Sequence, residues 1–115
     1  MEIIDIIKEA SLAAKDKKAI RPVLIDVRGH SDFCDFHFIC SGENERQTRA
    51  ITDAIEERCL KVGGIKPVAI EGKQTGNWIV MDYGSFLIHI FYNYLRDYYG
   101  IEQLWSKGKF TDLAQ

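Results

Sequence analysis

Asp32 and Asp35, His37 and His89, and Cys34, Cys40 and Cys59 are the side chains in this sequence best suited to chemistry. Each chemistry demands a spacing. Carboxylates that press a divalent metal against triphosphate oxygens cluster, alternating on one strand face after a Gly-Ser turn. Asp32 and Asp35 are three apart, which puts them on opposite faces of an extended segment. The one Gly-Ser pair, Gly84-Ser85, does not precede them. His37 and Cys40 share the same three-residue spacing, so a strand splits them as zinc ligands, and two more ligands would be needed. His89 has no nucleophile identifiable beside it, and Cys59 reads as a small core residue on a helical stripe. The stretch SGENER at Ser41–Arg46 could hold an anion on helix N–H groups. One glycine is a thin motif for that, and a plain N-cap explains it. No catalytic, cofactor or metal site is assigned, and an enzyme is not expected.

The stretch GNWIVMDYGSFLIHIF, Gly76 to Phe91, raises a different possibility. It reads as a β-hairpin around Asp82–Ser85 or Tyr83–Gly84, with Met81 opposite Phe86, Ile79 opposite Ile88 and Trp78 opposite His89. One face is then Ile79, Met81, Phe86, Ile88 and Ile90, a uniform apolar set suited to lie under helices. The other is Trp78, Val80, Asp82, Leu87, His89 and Phe91. A buried Trp or His needs a hydrogen-bond partner, and Asp seldom enters a dry core. Aromatic side chains mixed with polar groups characterise interface hot spots. A second helical layer covering this face is the rival reading, since α/β sheets are commonly covered on both sides.

The elements that position these residues follow from periodicity. Glu2 to Lys18 sets Ile3, Ile4, Ile7, Ala10, Ser11 and Ala14 on one helical stripe, with Lys15, Lys17 and Lys18 near its C-terminal end. Pro22 ends that element. VLIDV and DFHFICS read as strands, and Asn44 caps a helix whose stripe is Ile51, Ala54, Ile55, Cys59 and Val62, stopped by Gly63-Gly64. PVAIEG is a short strand, the hairpin follows, and NYLRDYYG to IEQLW forms a broken terminal helix. The order αββαβββα predicts one α/β domain, a mixed sheet of about five strands with packed helices. It spans residues 1–105, and residues 106–115 are expected to be a loosely ordered tail.

At 115 residues, one domain with its own core is expected. A net charge of −2 makes the whole chain no trap for nucleic acid. Lys15, Lys17, Lys18 and Arg21 form a basic end that could brush RNA, with a solvated helix end as the simpler account. No apolar stretch approaches the ~20 residues that span a bilayer, and an odd cysteine count without a CxxC pair suits a reducing compartment. A cytoplasmic location is the expectation.

Five collinear blocks add a further signal. They are Asp26-Val27-Arg28-Gly29 with Ser31, and Asp35-Phe36 through Ile39 to Ser41-Gly42. Next come Glu71-Gly72 with Gly76, Trp78 and Asp82-Tyr83-Gly84, then His89 and Phe91, and last Arg96, Tyr98-Tyr99, Ile101-Glu102 and Leu104-Trp105. Together, from about Ile3 to Trp105, they make the chain resemble the ribosomal silencing factor family, also called the iojap-like family. That resemblance implies a nucleotidyltransferase-like fold without catalysis, and a partner: the large ribosomal subunit, bound through its ribosomal protein fourteen so as to obstruct subunit joining when nutrients are scarce. Organellar relatives are linked to large-subunit assembly. The matching positions are Glu71, Gly72, Trp78, Asp82, Tyr83, Gly84, His89, Phe91, Arg96 and Tyr99. With Val80 and Leu87 from the hairpin face, all of these but the glycines make the expected contact set. Arg96 and Tyr99, one helical turn apart, could instead pin the last helix. An exposed Trp78–Leu87–Phe91 patch would favour a homodimer in the free chain. Departures from the family pattern are Cys34, Phe36, His37, Gln47, Thr48 and Tyr92; His37 stands where an apolar residue is usual.

Overall fold

The computed structural model describes residues 1–113. Helix α1 (Ile3–Asp16) buries Ile6, Ile7, Ala10, Ser11, Ala13 and Ala14. Ile4, expected on the stripe, is exposed; Ile6 and Ala13 take the inward positions. Strand β1 (Ile20–Asp26) begins earlier than Pro22 suggested. Proline cannot donate to a ladder and is tolerated at bulges. Here the register slips between Ile20 and Val23, and Arg21 sits at a φ of 54°. Strand β2 (Phe36–Gly42) is buried along its whole length.

Helix α2 (Glu45–Gly63) starts at Asn44, whose side chain accepts the Gln47 N–H at 2.8 Å. The Gln47 amide in turn donates to the carbonyls of Lys17 and Lys18, tying this start to the end of α1. The helix ends at Gly64, in the left-handed conformation that favours glycine. Strands β3 (Ala69–Glu71), β4 (Trp78–Asp82) and β5 (Phe86–Tyr92) follow, then helices α3 (Asn93–Tyr99) and α4 (Ile101–Leu104).

The chain closes with β6 (Lys109–Asp112), paired antiparallel to β1. Part of the expected loose tail is therefore a sixth strand; residues 114–115 of that tail lie outside the described residues. Its side chains are exposed, so apolar patterning gave no sign of it; its backbone pairs with β1. The sheet order is β3-β4-β5-β2-β1-β6, antiparallel throughout except for the β2–β5 pair. The mixed α/β sheet is as expected, with one strand more.

The hairpin register differs from the expected one by two residues. Trp78 pairs with Phe91, Ile79 with Ile90, Val80 with His89, Met81 with Ile88 and Asp82 with Leu87. The Tyr83 N–H donates to the Phe86 carbonyl, leaving Gly84-Ser85 as the two-residue turn, with Gly84 at a φ of 85°. Because side chains alternate with period two, a two-residue shift preserves both faces. Ile79, Met81, Phe86, Ile88 and Ile90 do lie in the main core under α1 and α2, with Phe36, Phe38, Cys40, Ile51 and Ile55.

Candidate interaction surface

The opposite face of the sheet gathers residues from five strands. Across it run the row Glu71, Val80, His89, Ile39 and the row Asp82, Leu87, His37, Ile25. The C-terminal segment covers only part of this face. Ile101 and Trp105 pack there with Ile25, Val27, Cys34, Ile39 and Phe91, forming a second small core. The second helical layer is thus present over one end only, roofed by α3 and α4, while Trp78, Val80, Asp82 and Leu87 stay half-buried at the open end.

The roof is latched by Arg96. Its guanidinium is 2% exposed and donates to both Glu102 carboxylate oxygens at 2.8 and 3.3 Å. It also donates to the Arg21 carbonyl at 2.6 Å and to Ser41 Oγ at 3.1 Å. Arg21 reaches back to Asn93 and Asp97 on α3. Arg96 therefore pins the last helices rather than presenting itself. Tyr99, one turn on, is exposed on one side and packs its ring at a tilt against the Trp78 indole, with centroids 4.8 Å apart.

Trp78 is held on three sides. Its ring also stacks on Phe91 at 5.2 Å, and its Nε1–H donates to His89 Nδ1 at 3.2 Å. His89 Nε2 lies 3.0 Å from His37 Nδ1, and His37 Nε2 lies 3.6 Å from Cys34 Sγ. Trp105 packs at a tilt against His37, centroids 4.9 Å apart. Burial lowers the His37 pKa to about 4. Burial, with the neighbouring His37, lowers that of His89 to about 3. Both rings are therefore neutral at pH 7. Burial pushes the thiols of Cys34 and Cys40 up, the latter to about 12, so neither is an activated thiolate. Gly72 supports the indole's strand from outside: a Cβ there would come within 2.0 Å of the Trp78 carbonyl oxygen, so no larger residue fits.

The structure sorts the expected contact set into three groups. Glu71, Trp78, Val80, Asp82, Leu87 and Tyr99 share one accessible or half-accessible surface. His89, Phe91 and Arg96 lie beneath it, buried. Tyr83 belongs to the other side of the sheet, stacked on Phe86 against the main core, and so is removed from this surface. Sequence reasoning left His37, Cys34 and Trp105 out of the contact set. The one signal for His37 was a histidine at an otherwise apolar position; its pairing with His89 depends on the parallel β2–β5 contact, which no local pattern announces. Among the described residues no group of three or more His, Cys, Asp or Glu is placed to hold a metal ion. Asp32 and Asp35 are exposed in the loop before β2. Among the described residues no helix is long and apolar enough to cross a membrane.

This geometry defines a class: a small α/β domain with one sheet face sealed by helices and the other left half open around a fixed tryptophan. Its family is specific. The chain belongs to the ribosomal silencing factor family, whose model, described as "Ribosomal silencing factor during starvation", matches residues 1–115. The ribosomal silencing factor of Bacillus subtilis is 32% identical over 108 residues, covering 94% of this chain and 91% of that protein. The mouse protein named mitochondrial assembly of ribosomal large subunit protein 1 is 33% identical over 95 residues, 80% of this chain and 42% of its own length. A crystal structure of a protein from Chromobacterium violaceum superposes with a TM-score of 0.87 at 30% identity, covering 100% of this chain and 95% of that one. The name of the Bacillus subtilis relative is regulatory, and that of the mouse relative refers to ribosome assembly.

Proposed function

We propose that this protein restrains translation sterically. It docks on the large ribosomal subunit through ribosomal protein fourteen, by the surface around Trp78, and keeps the small subunit from joining. The observation that carries this reading is the family match over residues 1–115, and the half-open aromatic surface supports it. An interface of ordinary size buries about 800 Å² on each partner, within reach of a domain with principal extents of 35 × 33 × 28 Å. Such a wedge needs no covalent step. The site of action is the cytoplasm. Lys15, Lys17 and Lys18 are exposed and free to meet RNA phosphates at the margin, whereas Arg21 is engaged with Asp97 and Asn93. The name of the mouse relative favours a second reading, assistance in large-subunit assembly.

Purified chain mixed with separated subunits tests the proposal. It is expected to co-sediment with large subunits, not with small ones, and to lower the yield of joined ribosomes. Binding to large subunits without any effect on joining would favour the assembly role. Absence of binding to mature large subunits would overturn the proposal.

The same surface can pair with a second copy when no ribosome is present, since half-exposed apolar residues seek cover. Sedimentation equilibrium is expected to show a concentration-dependent dimer. A strict monomer at high concentration would remove the dimer and leave the docking reading in place.

A further inference from the structure

We propose that Trp78, His89, His37 and Cys34 form a one-way hydrogen-bond relay in which two neutral imidazoles hold the docking indole in place, so that the docking surface loosens in acid. The direction follows from what each group can do. An indole N–H only donates, so His89 Nδ1 must accept and its proton must sit on Nε2. That Nε2–H meets His37 Nδ1, which must therefore accept in its turn. The proton of His37 is thereby fixed on Nε2, aimed at the Cys34 sulfur. The reverse order, beginning with the thiol as donor, ends with two N–H groups facing each other at Trp78. Only one arrangement satisfies every member.

Adding a proton anywhere breaks that arrangement. A proton on His37 Nδ1 opposes His89 Nε2–H, and a proton on His89 Nδ1 opposes the Trp78 N–H. In either case the indole is deprived of its acceptor or the imidazoles are driven apart. Among the described residues no charge favours a protonated imidazole at either position. Leu87 and Ile25 flank His37 across the sheet, and Val80 and Ile39 flank His89. The titratable groups nearby are Cys34 and Asp35 from the loop before β2, Asp82 from β4, Glu71 from β3 and Tyr99 from α3. Among these only Cys34 meets an imidazole; Asp82 accepts instead from the Gly84 N–H at 2.8 Å. Trp105 closes the relay over His37.

The sign of the pH effect follows. Both imidazoles titrate in the closed form well below the ~6.5 of a free imidazole. Their contribution to the closed form is therefore complete above about pH 6.5 and is lost as the pH falls toward 4 and then 3. Each histidine changes the ratio of open to closed chain by close to tenfold per pH unit in that window. His37 and His89 act here as positioning residues for Trp78. The inference takes from the proposed function only that Trp78 meets the partner, and it is tested on the free chain, so failure of ribosome binding and failure of the relay are separate results.

Long-range ¹H–¹⁵N spectra of the full chain at pH 7 read the tautomers directly. Both rings are expected to carry their proton on Nε2. An Nδ1–H tautomer on either ring at pH 7 would overturn the relay. Urea titrations followed by tryptophan fluorescence at pH 6 and pH 5 then compare the natural chain with His37→Leu. The variant is expected to lose one factor of about tenfold from the pH dependence of its unfolding constant, because one proton fewer is taken up. Equal pH dependence in the two chains would overturn the acid-sensitivity claim.

Discussion

Arg96→Met is expected to destabilise the domain by about 3–5 kcal/mol, the usual penalty for breaking a buried ion pair by removing one partner. Methionine roughly preserves the volume of the stem and deletes the guanidinium. Glu102 is only partly exposed and loses its fork-shaped partner; the buried Ser41 hydroxyl and the Arg21 carbonyl also lose their donor. A loss of that size is a large fraction of the ~5–15 kcal/mol that holds a typical domain folded. Because Arg96 links α3 and α4 to β1 and β2, the first region to open should be the roof formed by Ile101 and Trp105. Amide exchange should therefore rise in residues 96–105 before it rises under α1. Arg96→Lys should rescue little, since an ammonium cannot span two carboxylate oxygens and a carbonyl in one plane. A midpoint in urea unchanged from the natural chain would show that the last helices are held by apolar packing alone.

That latch shows where sequence reasoning reaches and where it stops. Local patterns placed the major helices, the β1–β2 region and the hairpin, because each carries its own periodicity and its own cap or turn signal. The face assignment survived an error of two residues in register, since alternation makes even shifts harmless. Three features escaped for physical reasons. Strand β6 is held by backbone pairing to β1 and has no buried side chain, so apolar alternation could not report it. Arg96 spacing fits an exposed contact and a buried pin equally well; only the proximity of Arg21 and Ser41, 75 and 55 residues away in the chain, decides between them. Tyr83 follows an aspartate in a turn and reads as exposed. Its ring instead folds back onto Phe86 because the two-residue turn falls one position later.

Trp78→Ala and Met81→Ala separate the two faces of β4 and should do so by opposite readouts. Met81 is fully buried between the sheet and the helices. Its truncation removes core volume that rigid neighbours cannot refill, at a cost of about 2–5 kcal/mol. The folded fraction of that variant should still bind large subunits. Trp78 sits at the open end of the opposite face, stacked on Phe91, packed at a tilt against Tyr99 and bonded to His89, with part of its ring in reach of a partner. Truncating a hot-spot aromatic weakens binding by at least about 2 kcal/mol, roughly thirtyfold in affinity. Some stability is lost as well, because Phe91 is uncovered, yet the main core under α1 and α2 is untouched. Thermal melts and large-subunit binding, measured on both variants, decide the matter. If Trp78→Ala collapses the fold while Met81→Ala stays stable and loses the ribosome, docking uses the helical side of the sheet. If Trp78→Ala remains folded and binds as the natural chain does, the contact lies elsewhere on the molecule. The expected result is a folded Trp78→Ala that no longer holds the large subunit, beside a weakened Met81→Ala that still does.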